Sequence, residues 1–124
     1  MSGSTARSCT ALLEALPSSV SDQKARQVHD AGGYAAAWGD PPIVLRCGVQ
    51  RPAAMDRFAS CQVVNGVGWF IPESQSSDAP VTLTTMDRAV FVQVRIPRDY
   101  FPPAATMVDL GPAVRRTLPP GHPC

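Results

Sequence analysis

Trp38-Gly39-Asp40-Pro41-Pro42-Ile43-Val44-Leu45-Arg46-Cys47-Gly48-Val49 is the stretch on which the fold turns. Each proline fixes its own φ and disfavours helix in the residue before it, so Asp40-Pro41-Pro42 forces an extended backbone into the next segment. Ile43 to Val49 then reads as a strand. Ile43, Leu45, Cys47 and Val49 fall on one face, and Val44, Arg46 and Gly48 on the other.

Downstream, Arg51-Pro52 ends this strand, and Pro52 to Ala59 reads as a loop or one helical turn. Cys61-Gln62-Val63-Val64-Asn65-Gly66-Val67-Gly68-Trp69-Phe70 comes next. Asn65-Gly66 between apolar runs is the favoured type I′ hairpin turn. It sets Val64 opposite Val67 and Gln62 opposite Trp69. Glu73 to Pro80 reads as a polar loop. Val81–Thr85 and Ala89–Ile96 form a second hairpin around Met86-Asp87-Arg88, with Val90, Val92, Val94 and Ile96 facing the core and Phe91, Gln93 and Arg95 facing away. Pro102-Pro103 starts a helix over Ala104–Leu118 with Met107, Leu110 and Val114 on its apolar stripe. A kink or break is expected at Pro112.

Upstream, Cys9 to Leu16 reads as a short helix with Leu12, Leu13 and Leu16 on one face, stopped by Pro17. Ser18, Ser19 and Ser21 offer N-caps for a second helix through about Asp30, ended by Gly32-Gly33. Tyr34 to Trp38 reads as an alanine-rich connector or a further helical turn. Residues 1–7 begin as Met1-Ser2-Gly3-Ser4 and read as an expression scar or a disordered N-terminus, leaving residues 8–124 as a single domain. The fold class is α+β: an antiparallel sheet of about five strands, with N- and C-terminal helices on one face and disulfide staples.

The cysteines are Cys9, Cys47, Cys61 and Cys124. No pair has C-x-x-C spacing, so a zinc ribbon or thioredoxin-like site is poorly supported. Widely spaced cysteines in even number fit disulfides made in an oxidising compartment. Sequence leaves their connectivity open. The expected pairing is Cys9 with Cys124, tying the two ends of the chain, and Cys47 with Cys61. Net charge is +1, from 11 basic and 10 acidic residues. That balance argues against a nucleic-acid or polybasic membrane surface. Only Lys24 is a lysine. No segment reaches the ~18 apolar residues of a membrane span.

Several of these segments also carry a resemblance: Cys9 with Leu12 or Leu13, Leu16 and Pro17; the Trp38–Val49 run; Arg51-Pro52; Asn65-Gly66-Val67-Gly68-Trp69; and Arg88 before the last strand. On these the chain resembles an actinobacterial family of small exported or membrane-anchored proteins, domain of unknown function thirty-five fifteen. The resemblance implies an extracytoplasmic place in the cell envelope, or secretion, with a signal or a single membrane helix just ahead of Cys9. It implies no catalytic residues.

The sequence offers little to catalysis. Its two histidines are His29 and His122, and no G-x-S-x-G elbow is present. No phosphate-binding glycine motif and no metal-ligand spacing stand out. Asp40, Glu73, Asp78 and Asp87 include no pair singled out by spacing. The expectation is no cofactor, no metal and no nucleic acid. The candidates for recognition are large aromatic surfaces and forked donors: Trp38, Asp40, Arg46, Arg51, Trp69, Arg88 and Arg95, with Tyr34 and Phe91 beside them. The competing structural reading packs Trp38 and Trp69 under the helices and pairs Asp40 with an arginine in an internal ion pair that fixes the proline turn. The expected function is a non-catalytic binding or assembly module for an envelope protein or cell-wall component. The alternative is a small envelope hydrolase with its site near the Trp38–Asp40 turn.

Overall fold

The computed structural model describes residues 2–28, 33–72 and 79–124. Helix α1 spans Gly3–Ala15. After it come strands β1 (Ser19–Val20), β2 (Gln23–Arg26), β3 (Tyr34–Trp38), β4 (Ile43–Cys47), β5 (Gln62–Val64), β6 (Val67–Phe70), β7 (Val81–Thr85) and β8 (Val92–Ile96). A 3₁₀ turn at Arg98–Tyr100 leads to helix α2, Ala104–Thr117. The strands form one eight-stranded sheet, ordered β1-β2-β3-β4-β8-β7-β6-β5, with every pairing antiparallel. Both edge strands, β1 and β5, touch α2, so the sheet curls round that helix.

Strands β4 to β8 are the about five strands expected from the hydrophobic alternation. Ile43, Leu45 and Cys47 are buried and Arg46 is exposed. The Asn65-Gly66 hairpin has the expected register, Val64 opposite Val67 and Gln62 opposite Trp69. Asn65 at φ 50° and Gly66 at φ 80° give the two left-handed residues that a type I′ turn needs. In the second hairpin Val90, Val92, Val94 and Ile96 are buried while Arg95 is exposed. Its connection is closed from inside: the buried Thr85 hydroxyl donates to the Val90 carbonyl at 3.2 Å and accepts from the Val92 N–H at 3.0 Å.

The strand count is corrected upward at the N-terminal side. The helix expected from Ser18 onward is instead the β1–β2 hairpin. Ser21 and Asp22 adopt left-handed φ values of 49° and 63°, forming its turn. Short polar side chains that suit an N-cap suit such a turn equally well. The turn is held from α2: the Ser21 N–H donates to an Asp109 carboxylate oxygen at 2.8 Å, and the Ser21 and Thr106 hydroxyls are hydrogen-bonded at 2.7 Å. The alanine-rich connector is also a strand. β3 pairs with β4 along its whole length, and α1 lies against it. Cross-strand pairing overrides the helical preference of alanine here. Asp40-Pro41-Pro42 is accordingly the turn of a β3–β4 hairpin and not a plain extended entry.

Helix α1 begins well ahead of Cys9. The Ser2 side chain caps it by accepting from the Thr5 N–H at 3.2 Å, so residues 3–7, expected as a scar or disordered, form its first turns. Leu16 is extended, as a residue before proline must be, and the helix stops there. Helix α2 runs through Pro112 without a break. Pro112 is exposed, and so is Val108, the residue four positions earlier whose carbonyl its ring deprives of a partner. Trp38, Leu45, Trp69, Leu83, Val94 and Leu110 lie in the shared core between sheet and helices.

The disulfides correct the expected pairing. Cys9 is bonded to Cys47 and Cys61 to Cys124, with Cα atoms 5.6 and 5.9 Å apart. The first staples α1 to β4. The second ties the C-terminal tail to the entry of β5. Glycine is required beside it, since a Cβ at Gly68 would run into both sulfurs.

Candidate functional site

The predicted recognition residues divide into several environments. Trp38 and Trp69 are 1% and 0% exposed, so neither ring offers a surface to a ligand. The Trp38 indole N–H donates to the Pro17 carbonyl at 3.1 Å. Asp40 stands at the β3–β4 turn with its side chain 88% exposed, 3.8 Å from the Arg26 guanidinium. Arg26 also donates to the Gly39 carbonyl at 2.9 Å, and the Tyr100 hydroxyl donates to the Pro41 carbonyl at 2.6 Å. The proline turn is thus held by an arginine, as the structural reading expects, but the ion pair is exposed and not internal, and Tyr100 adds a hydrogen bond that reading did not include. An ion pair so exposed adds little stability of its own.

Arg88 is internal, with a side chain 12% exposed. It donates to the Gly66 carbonyl at 2.9 Å and lies 3.8 Å from Asp87. Arg115 of α2 donates to the neighbouring Asn65 carbonyl, so two guanidinium groups hold one hairpin turn. Arg46 and Arg95 are exposed on the sheet face away from the helices. Register places them diagonally, Arg46 opposite Gln93 and Val44 opposite Arg95. Arg95 borders a shallow depression of about 430 Å³ with Pro41, Pro42 and Pro97. His29, Glu73 and Asp78, and with them most of the Glu73–Pro80 loop, lie outside the described residues.

Arg51 leads to the site that sequence reasoning missed. It borders a cleft of about 650 Å³ between the 51–61 loop and the C-terminal tail. That volume falls within the range of small-ligand sites. The apolar part of the lining includes Met55, Met86 and Phe91, and the polar part is Arg51, Arg57, Asp56 and His122. Chain geometry builds it. Arg51 Nε donates to the Met55 carbonyl at 2.9 Å, folding the loop back and burying Met55. Asp56 accepts from the Phe58 N–H at 2.9 Å, an Asx turn that presents Arg57 and Phe58. Phe58 is 80% exposed, with the Arg57 guanidinium 4.9 Å from its ring centre.

The opposite wall is the tail. Pro119 accepts from the Ala89 N–H at 2.9 Å, and the Gly121 N–H donates to the Asp87 carbonyl at 2.8 Å, around an antiparallel bridge between Arg88 and Pro120. Cys124 is then held by its bond to Cys61, and both line the cleft. Loop and tail are distant in sequence, so only the Cys61–Cys124 pairing could have brought them together on paper.

Phe91 and two arginines beside a single carboxylate suit an anionic group carried on an apolar body. Among the described residues no group of three or more His, Cys, Asp or Glu is placed to hold a metal ion. No described helix is long and apolar enough to cross a membrane. No curated protein and no solved structure matches the chain. One family model does, over residues 2–123: the chain belongs to the family described as Protein of unknown function (DUF3515).

Proposed function

We propose that this chain is an extracytoplasmic cell-envelope or secreted domain that binds an envelope protein or cell-wall component without transforming it, and that the cleft between the 51–61 loop and the tail is where it binds. The observation that carries this reading is the cleft itself: about 650 Å³, apolar within, lined by Arg51 and Arg57, and closed on one side by a disulfide-held tail. The disulfides support an oxidising compartment, because such bonds persist outside the reducing cytosol. The arginines favour a carboxylate-bearing ligand, whose planar anion a guanidinium fork matches. Peptide stems of the cell wall and acidic segments of envelope proteins both have that chemistry.

A hydrolytic site at the Trp38–Asp40 turn has less to support it. Trp38 is in the core, and Asp40 projects into solvent beside Arg26. General acid–base catalysis needs the group within reach of a held substrate. The test is calorimetric titration of the domain with soluble muropeptides, comparing wild type with Arg57→Glu. Binding to wild type that weakens about five- to ten-fold in the variant is expected for an exposed rim charge. Equal affinity in both proteins moves the site elsewhere.

A further inference from the structure

The two disulfides differ in a way the binding reading does not use. Cys9 is 0% and Cys47 5% exposed, and their bond lies in the core beneath α1. Cys61 is half-buried and Cys124 exposed, and both border the cleft. We infer that Cys61–Cys124 is a thiol–disulfide exchange site, opened in the native protein by a small dithiol entering the cleft, whereas Cys9–Cys47 stays closed until the domain unfolds. The inference rests on cleft geometry and not on what the cleft binds.

Access decides which sulfur is attacked. Cys124 is the more open of the two, so the dithiol's thiolate attacks its Sγ. A mixed disulfide forms there as the Sγ–Sγ bond breaks, and Cys61 leaves as a thiolate. The second thiol of the reductant then closes on the first, releasing the Cys124 thiolate. The protons given up by the dithiol end on the protein thiols, so the dithiol is oxidised to its cyclic disulfide and the bridge is reduced to a pair of thiols. Arg51, Arg57 and His122 line the same cleft, and the guanidinium groups favour both the incoming and the leaving thiolate. Asp56 opposes them within the cleft, while the Asp87 carboxylate lies on the Gly68 side of the bridge, 3.8 Å from Arg88.

Opening needs no global unfolding. Among the described residues, the last backbone hydrogen bond from the tail to the body is the one from Gly121 to Asp87. Beyond it, release of Cys124 detaches the exposed residues 122–124 from the body, a local event of low cost. Its consequence falls on the cleft, which loses the wall made by His122, Pro123 and Cys124.

The experiment uses the intact domain and dithiothreitol under native conditions, with timed alkylation by iodoacetamide and peptide mass spectrometry. Cys61 and Cys124 are expected to be alkylated at least about a hundred-fold faster than Cys9 and Cys47. Amide resonance changes should be confined to the tail, the 51–61 loop and residues 86–91. A Cys61→Ser/Cys124→Ser variant should reproduce the spectrum of the partly reduced protein with Cys9–Cys47 intact. Equal rates at both bridges, earlier opening of Cys9–Cys47, or opening that accompanies loss of the whole spectrum each overturn the inference. Because the probe is dithiothreitol, a cleft that binds no muropeptide leaves this result unaffected, and the calorimetric titration is unaffected by the reverse.

Discussion

Arg88 stands beside a turn in the sequence, where a guanidinium is as suited to recognition as to support. The structure uses its fork internally. One arm holds the Gly66 carbonyl, and Asp87 lies beside the other donors. The backbone of Arg88 also pairs with Pro120, so the same residue sets the β5–β6 turn and the course of the tail. Arg88→Ala should therefore destabilise the fold by about 1.5–3 kcal/mol, the range for a hydrogen bond made by a charged group. Urea denaturation measures this directly, and an unchanged midpoint would restore Arg88 as a candidate for recognition. Arg51 is the contrasting case. It was legible as a candidate because it follows a strand beside a proline, and it does border the cleft. Met55, Arg57 and His122 were not, since nothing local marks a loop and a tail that meet only through a disulfide.

At the scale of elements, the β5–β6 hairpin was legible down to the register, and β7–β8 only in its existence and buried face, since its second strand begins at Val92 and not at Ala89 and the turn is correspondingly longer. Asn65-Gly66 has one favoured turn, and the valine alternation of Val90 to Ile96 admits one buried face. The β1–β2 hairpin was not, because a pair of strands as short as Ser19–Val20 and Gln23–Arg26 has too few residues for a period to show. Its stability comes from α2 across the domain, through Asp109 and Thr106. Asp109→Ala removes the carboxylate that accepts from the Ser21 amide and should cost about 1 kcal/mol. The sharper readout is hydrogen exchange: the Ser21 amide should lose protection while the amides of α2 keep theirs. Unaltered protection at Ser21 would mean that the hairpin stands without its helix contact.

Across the whole molecule, the α+β class and the helical layer from both ends of the chain could be read in advance, but the cross-links that complete the domain could not. Cysteine spacing leaves the pairing open, and the attraction of joining the two ends favoured Cys9 with Cys124. The actual pairs span 38 and 63 residues in sequence, without overlap, and each loop closure stabilises by about 4 kcal/mol in the chain-entropy model. Cys9–Cys47 locks helix to sheet, and Cys61–Cys124 shapes the cleft on which the proposed function rests. The direct trial of that proposal is an amide-resolved NMR titration of the oxidised domain with muropeptides, wall glycans and detergent-solubilised envelope proteins. The prediction is a set of shifts centred on Met55 to Ala59, Met86, Phe91 and His122. Shifts centred instead on the Trp38–Asp40 turn or on the Arg46–Arg95 face, or none with any fraction, would contradict a binding site in the cleft.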